Sequence, residues 1–323
     1  MDPFIISTIS GLLMSIVEPH PTWYIAGIGA LGSVLAGHIE HSGHAVQLVL
    51  KNEHQLCAYQ QAKLTVLSDD NPLTCHPPAC HIDELNHTPI HYLLSCVKAH
   101  DITTLLMRLQ CYLTEKSIIV LIHNGLGVIE EIKTQWPHLR LIAGVSTVGA
   151  YLEKPFVVRA FLEGAFYLGG VHGEFSKDEI KTLCMTFKDA KLPALWEDNI
   201  YPMMWEKFAL NCSINILTAL FRCKNGDLLL DVEPLKKLTA EVAEVVTAYG
   251  MNMTASHLFL KVTQLLQRVA GNYSSMYGDV QMNKPTELPY LNEHLIKLAK
   301  QKNIATPFNL ELLTQFYRKC PRL

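Results

Sequence analysis

Lys207, Asn211 and Asn215 recur at intervals of four within residues 203–217 (MMWEKFALNCSINIL). In a helix that spacing sets an ammonium and two carboxamides in single file on one face. Their neighbours Trp205, Phe208, Ala209, Leu210, Ile214, Ile216 and Leu217 have the composition of a core. A buried lysine is rare and needs partners. The file therefore faces either solvent or a polar cleft where something binds. In a cleft, a fixed ammonium can stabilise negative charge developing on an oxygen and then protonate it.

A second constellation stands near the start. Residues 22–26 (TWYIA) read as a short strand that runs straight into Gly27-Ile28-Gly29-Ala30-Leu31-Gly32. An amphipathic segment at 33–42 and a second strand at 45–50 (AVQLVL) follow. Strand, GxGxxG, helix and strand in this order form a dinucleotide-binding unit. Gly27 permits the tight turn, Gly29 lets a pyrophosphate approach the backbone, and Gly32 lets the helix pack close. The helix start then offers N–H groups and a positive dipole end to the phosphates.

The tip of the second strand bears on cofactor choice. An NAD site places Asp or Glu there to hold the ribose 2′-hydroxyl. This chain has Lys51-Asn52, which suits a 2′-phosphate and so NADPH, although Glu53 follows at once. Further apolar runs, 91–97, 117–122 and 141–145, end in polar loops, as an open α/β sheet requires. Ligands on such sheets bind beyond the carboxyl ends of the strands. Lys98, Asn124 and Ala150 fall there and are candidates to touch the nicotinamide half or the substrate. Residues 156–169 read as further strands.

Beyond about residue 198 helical periodicity takes over, with segments at 234–249, 257–269 and 291–300. A sheet domain followed by a helical one suggests a cleft between them, where pockets often form. At 323 residues, 49% hydrophobic and 18% charged, the chain can bury two cores. A formal charge of −3 without a dense Lys/Arg block gives no footprint for nucleic acid. Mean hydropathy is +0.15, but the apolar runs break off well short of the roughly 20 residues of a spanning helix. No membrane segment is expected.

Residues 1–20 lack the basic start and small-residue cleavage site of a secretory leader. They read as a loosely ordered tail, with Met14 as an alternative start. Nine cysteines without a CxxC pair suit a reducing cytoplasm. The CHPPACH stretch at 75–81 has no second ligand pair to close a tetrahedron, so no metal is expected.

GIGALG at 27–32, Lys98 at its strand end, HNGLG at 123–127 and WEKFALNCSINILTA at 205–219 resemble motifs of the ketopantoate (2-dehydropantoate) reductase family. CKNGD at 223–227, NYSSM at 272–276 and TELPYLN at 286–292 extend that resemblance. It spans nearly the whole chain beyond the tail. It implies a Rossmann-type α/β dinucleotide-binding domain at 21–198 and an all-helical, 6-phosphogluconate-dehydrogenase-like substrate domain at 199–323. It also implies NADPH as cofactor and reduction of ketopantoate to pantoate, a step toward coenzyme A. By resemblance Lys207 is the general acid, and Asn211 and Asn215 orient the substrate's hydroxyl and carboxylate. Asn225, Asn272 and Ser275 complete the substrate contacts, and Glu287 reaches cofactor or substrate near Lys207. Lys98 and Asn124 lie at the nicotinamide and its ribose, Asn124 also near substrate, and residues 27–32 hold the pyrophosphate.

Five residues at four places depart from the family pattern. Ile216 stands where proline is usual, Leu288-Pro289 follow Glu287 where Ile-Asp is common, Lys51 replaces an arginine, and the loop at Val148 lacks a histidine. A paralogue acting on another small 2-oxo acid therefore stays open, as does a non-catalytic NADP(H)-binding regulator. The intact Lys207–Asn211–Asn215 file speaks against the regulator. A homodimer also stays open, because an exposed apolar helix face and a core face read alike.

Overall fold

The computed structural model describes residues 21–68, 72–85 and 88–320. The tail expected at residues 1–20, with its alternative start at Met14, lies outside these. Six parallel strands make the body of an eight-stranded sheet. In spatial order they are Ala79–His81, Val46–Leu50, Trp23–Ala26, Tyr92–Ser95, Ile118–Leu121 and Arg140–Ser146. Tyr92–Ser95 and Ile118–Leu121 are buried at every position, which is what a parallel sheet covered on both faces demands. Phe166–His172 then adds antiparallel to Arg140–Ser146, and Ala194–Trp196 closes the edge.

A four-stranded sheet that sequence patterning did not reveal lies over the first helix. Its order is Leu73–Cys75, Leu64–Leu67, Val157–Phe161, Gly149–Lys154. It explains why helix Ala30–His41, expected at 33–42 with one apolar face, is buried from Gly32 to Gly37 and again at Ile39. A helix enclosed on all sides has no solvent face to show. The CHPPACH stretch bridges the two sheets: Cys75 ends a strand of the small one, and Cys80 lies in an edge strand of the large one.

On the opposite face, helices Ala99–Leu109 and Val128–Gln135 cover a second core. The third core is all helical, built from Tyr201–Phe221, Glu233–Ala248, Ala255–Arg268, Ser275–Gln281, Asn292–Gln301 and Pro307–Lys319. Helix Tyr201–Phe221 belongs to both halves. Ile200, Tyr201, Met203 and Met204 pack into the core on the sheet, whereas Phe208, Ala209 and Cys212 begin the helical core. Ile216, where the family carries proline, leaves the helix unbroken to Phe221. Lys207 thus sits at the point where the helix passes from one core to the other.

Candidate active site

At the nucleotide end, Gly27 leaves strand Trp23–Ala26 at φ +86°. A Cβ there would lie 2.4 Å from the Val97 nitrogen and 2.5 Å from the Cys96 carbonyl carbon. Around Gly29, by contrast, a Cβ would meet nothing within 4 Å. Gly29 is the N-cap of helix Ala30–His41 and brings no side-chain cap. The N–H groups of Ala30, Leu31 and Gly32 lack partners by helix geometry, and the helix dipole favours an anion at this end. The Ile28 side chain points away into the core. These residues fit a dinucleotide pyrophosphate.

Lys51 is exposed just beyond Val46–Leu50 and forms no ion pair among the described residues. Its loop is braced on both sides: the Lys51 N–H donates to Gln55 Oε1 (3.3 Å), and its carbonyl accepts from Arg108 Nη1 (3.0 Å). Asn52 turns its side-chain oxygen inward and keeps its amide N–H groups as the donors a phosphate would need. Its Oδ1 accepts from the Gln55 N–H at 2.8 Å and caps the next helix. Among the described residues, Lys51 is a cation at this tip with no ion-pair partner. Replacing it with alanine should weaken NADPH binding roughly tenfold while barely changing NADH binding. Fluorescence titration with both cofactors checks this; equal losses would refute the 2′-phosphate assignment.

Across the cleft the helical half supplies two carboxylates. Glu287 is buried, and its Oε1 accepts from the Ala99 and Asn124 N–H groups at 3.2 and 3.3 Å. Its Oε2 accepts from Asn124 Nδ2 at 2.8 Å. Asp279 pairs with the Lys98 ammonium, which also donates to the Pro285 carbonyl at 3.3 Å. Burial raises the Asp279 pKa and Lys98 opposes that rise. Lys98 does stand at its strand end, but its charge is spent on Asp279 instead of being free for a nicotinamide. Ala150 departs further from expectation. It lies in Gly149–Lys154, paired with Ala160 in the small sheet and packed against the core. Strand Arg140–Ser146 runs on past the expected end at 145, and the chain then turns into a hairpin.

The loop 123–127 is gripped by the turn that follows Glu287. Leu126 N–H donates to the Tyr290 carbonyl at 3.0 Å. Gly125 has φ +87°, and a Cβ on it would lie 2.3 Å from that same oxygen. The unusual Leu288-Pro289 pair builds the short 3-10 turn Leu288–Tyr290, with Leu288 in the helical core. Next to it, the His294 ring lies against Gly127 and edge-on to Phe208. Burial, helped by Lys297, lowers the His294 pKa from 6.5 to about 4. Between those values the unfolded chain binds the extra proton, so stability should fall as pH drops from 6.5 toward 4. Urea unfolding of wild type and His294→Phe across this range checks it: the substitution should flatten the acid slope.

Lys207 heads the file. Burial lowers its pKa to about 8, with Glu287 pulling the other way. Among the described residues no hydrogen bond or ion pair holds its ammonium. One turn on, Asn211 Nδ2 donates to Asn124 Oδ1 at 3.4 Å. Asn215 is buried a further turn along. The Thr218 and Ser274 hydroxyls, 2.6 Å apart, fasten the segment carrying Asn272 and Ser275 to the site helix. Asn272 and Ser275 are exposed, and the Asn272 carbonyl accepts from the Asn225 N–H at 2.9 Å. Asn225 is buried, and its Oδ1 has no partner among the described residues. The structure thus gathers Lys207, Asn211, Asn124 and Glu287 tightly, and strings Asn215, Asn225, Asn272 and Ser275 along one side.

Residue patterning singled out neither Asp279 nor His294 nor Arg108. Asp279 falls four residues after Ser275, on the same helix face, and that spacing was its one visible signal.

Residues 23–173 match the family model described as ketopantoate reductase PanE/ApbA, and residues 199–319 match the model of its C-terminal part. A 2-dehydropantoate 2-reductase from Vibrio cholerae is 30% identical over 298 residues, covering 90% of this chain and 95% of its own. One from Pyrococcus horikoshii is 27% identical over 299 residues, covering 90% and 94%. Among solved structures, D-mandelate dehydrogenase with NADH and anilino(oxo)acetate superposes with a TM-score of 0.85 at 21% identity, covering 93% of this chain and 98% of that one. The 2-dehydropantoate 2-reductase of Methylococcus capsulatus does so with a TM-score of 0.75 at 22% identity, covering 93% and 97%. At these identities the structural matches speak for the fold.

Proposed function

Because the chain belongs to the ketopantoate reductase family, we propose that it reduces 2-dehydropantoate to pantoate with NADPH, and that Lys207 supplies the proton. The observation that carries this is the Lys207 ammonium, unpaired among the described residues and lowered to about 8 by burial. Its charge acts on Glu287, which accepts from the Ala99 N–H in the nucleotide half. When bound, NADPH supplies the hydride for the keto carbon.

The chain's own residues do the rest. Residues 27–32 seat the pyrophosphate on a helix N-terminus, and Lys51 neutralises the 2′-phosphate. Asn124 and Glu287 fix the loop beside the ribose. Lys98 is held by Asp279 at the mouth, so its part is to set the cleft's width and charge. Asn211 and Asn215 hold the substrate's hydroxyl and carboxylate by hydrogen bonds. Asn225, whose buried Oδ1 lacks a partner among the described residues, accepts from a donor on the substrate, and Asn272 and Ser275 close the outer side. Ala150 has no place in this scheme.

As the hydride's electron pair becomes the new C–H bond, the C=O π pair moves onto the oxygen. The Lys207 ammonium stabilises that charge and transfers one proton, leaving a neutral amine that solvent reprotonates. The same proposal divides the chain near residue 198, into a nucleotide half and a substrate half. No helix among the described residues is long and apolar enough to cross a membrane. The nine cysteines are all free, which suits a cytoplasmic enzyme. A homodimer is the proposed assembly; the ketopantoate reductase of Staphylococcus aureus, similar in fold, is described as dimeric.

The deciding experiment follows NADPH oxidation by the purified protein with ketopantoate, pyruvate and 2-oxoisovalerate in parallel. Turnover confined to ketopantoate supports the proposal. Turnover on another acid keeps Lys207 in its role and moves the substrate. NADPH binding without any turnover refutes the proposal.

A further inference from the structure

The Lys207 ammonium also borders a second space. Met204, Lys207 and Phe208 of the site helix, His123 and Asn124 of the loop, and Gly144 of strand Arg140–Ser146 bound a small cavity. Its enclosed part has room for about one water molecule. Asn211 and Asn215 are absent from its wall. The space lies toward the sheet, at the head of the substrate file.

His123 is the polar ring facing Lys207 there. Its Nδ1 lies 3.0 Å from the Asn124 carbonyl oxygen. A carbonyl only accepts, so Nδ1 carries the proton of the neutral ring and Nε2 is left as an acceptor. The charged groups acting on the ring are Lys207 from the site helix and Glu287 from the segment beyond Asp279. Burial is the largest influence on it, with the Asn124 carbonyl and Glu287 opposing and Lys207 assisting, and the ring is held neutral.

We infer that His123 is a positioning residue, which holds the Lys207 proton donor in place through one water molecule in this cavity. The inference rests on Lys207 being the proton donor. An ammonium has three N–H bonds to place. With one directed at the substrate oxygen, another needs an acceptor on the sheet side. A water there accepts from Lys207 and donates to His123 Nε2. That chain has one direction only while His123 stays in the Nδ1–H form, so the Asn124 carbonyl fixes the aim of Lys207 indirectly. It also favours the charged lysine, and losing it should move the lysine's titration downward.

The test compares His123→Phe, which fills the space and removes the acceptor, with His123→Gln, which keeps one. For His123→Phe, turnover should fall about tenfold, and the alkaline limb of kcat should move to lower pH. NADPH affinity should stay within about twofold. His123→Gln should recover most of both losses. A His123→Phe enzyme with the wild-type alkaline limb would overturn the inference, as would a Gln variant no better than Phe.

A measurement on the unsubstituted protein needs no variant of His123 to fold. In nitrogen-15 NMR of the NADPH-bound protein, Nε2 should be unprotonated, and its shift should inflect near pH 8 with Lys207. A protonated Nε2, or the absence of that inflection, would overturn the inference. Failure to reduce any 2-oxo acid would remove the functional proposal alone, since the NMR result still decides whether Lys207 and His123 are coupled.

Discussion

Lys207→Ala should lower turnover by about 10²–10⁴ while leaving NADPH binding nearly unchanged. The proposed proton donor is lost, while the glycine turn and Lys51 belong to the nucleotide half of the chain. Steady-state kinetics with a cofactor titration measures both quantities. Near-normal turnover would remove Lys207 from the mechanism. In the wild type, the donor must be charged to act, and its pKa is about 8. Turnover should therefore hold below that value and fall above it.

The same shift provides a control for folding. Lys207 ionises more readily in the unfolded chain, where its pKa is 10.5, than in the native state. Below about 8 its burial costs stability in full, and the cost fades as pH rises toward 10.5. Lys207→Ala should thus be no less stable than the parent at neutral pH, which keeps a loss of turnover from being mistaken for a loss of structure.

The second large effect separates two neighbouring glycines. Gly27→Ala should destabilise the protein by roughly 2–5 kcal/mol, adding the cost of a left-handed residue to that of overpacking. The new methyl would press on the backbone at Cys96 and Val97, where the Cys96 N–H donates to the Ala26 carbonyl at 2.8 Å. Backbone in a parallel sheet cannot swing aside as a side chain can. Gly29→Ala meets nothing in the protein, so its stability should stay within about 0.5 kcal/mol. Its methyl would instead stand where the pyrophosphate approaches, and NADPH affinity should drop. Urea unfolding and NADPH titration on both variants check the contrast. Equal stability losses, or an unaffected affinity for Gly29→Ala, would show that the turn does not seat the cofactor as proposed.

The parallel strands and the long helix were legible because their patterns are local. TWYIA before GxGxxG, and Lys-x3-Asn-x3-Asn among apolar residues, each carry their meaning within a few turns of chain. The small sheet was not legible, because Leu64–Leu67 and Val157–Phe161 pair across a long separation, and only the assembled sheet encloses the first helix. The strand that holds Ala150 went unread for the same reason: a polar loop after a strand and a tight turn into a hairpin look alike in sequence. Asn52 was read by its charge neighbourhood alone, so the helix cap that its Oδ1 forms with the Gln55 N–H three residues on went unread. The engagement of Lys98 by Asp279 depends on how two halves dock, and no local pattern reports that.

The helix that bears Lys207 is rooted in both cores, and this sets how the two transfers are kept in step. On the proposed mechanism the hydride source rides on the sheet and the proton source on the helix, yet the helix begins buried against that sheet at Ile200. Their relative register is therefore established once, when the chain folds, and does not have to be found again at each turnover. A tilt of the helical half would pivot about the stem at residues 200–204 and carry Lys207 only a short arc, since it lies just beyond the pivot. Asn225 and Asn272, farther out on the lever, would sweep much more. Opening the cleft for product release would then loosen the grip on the substrate's far end well before it disturbs the proton donor.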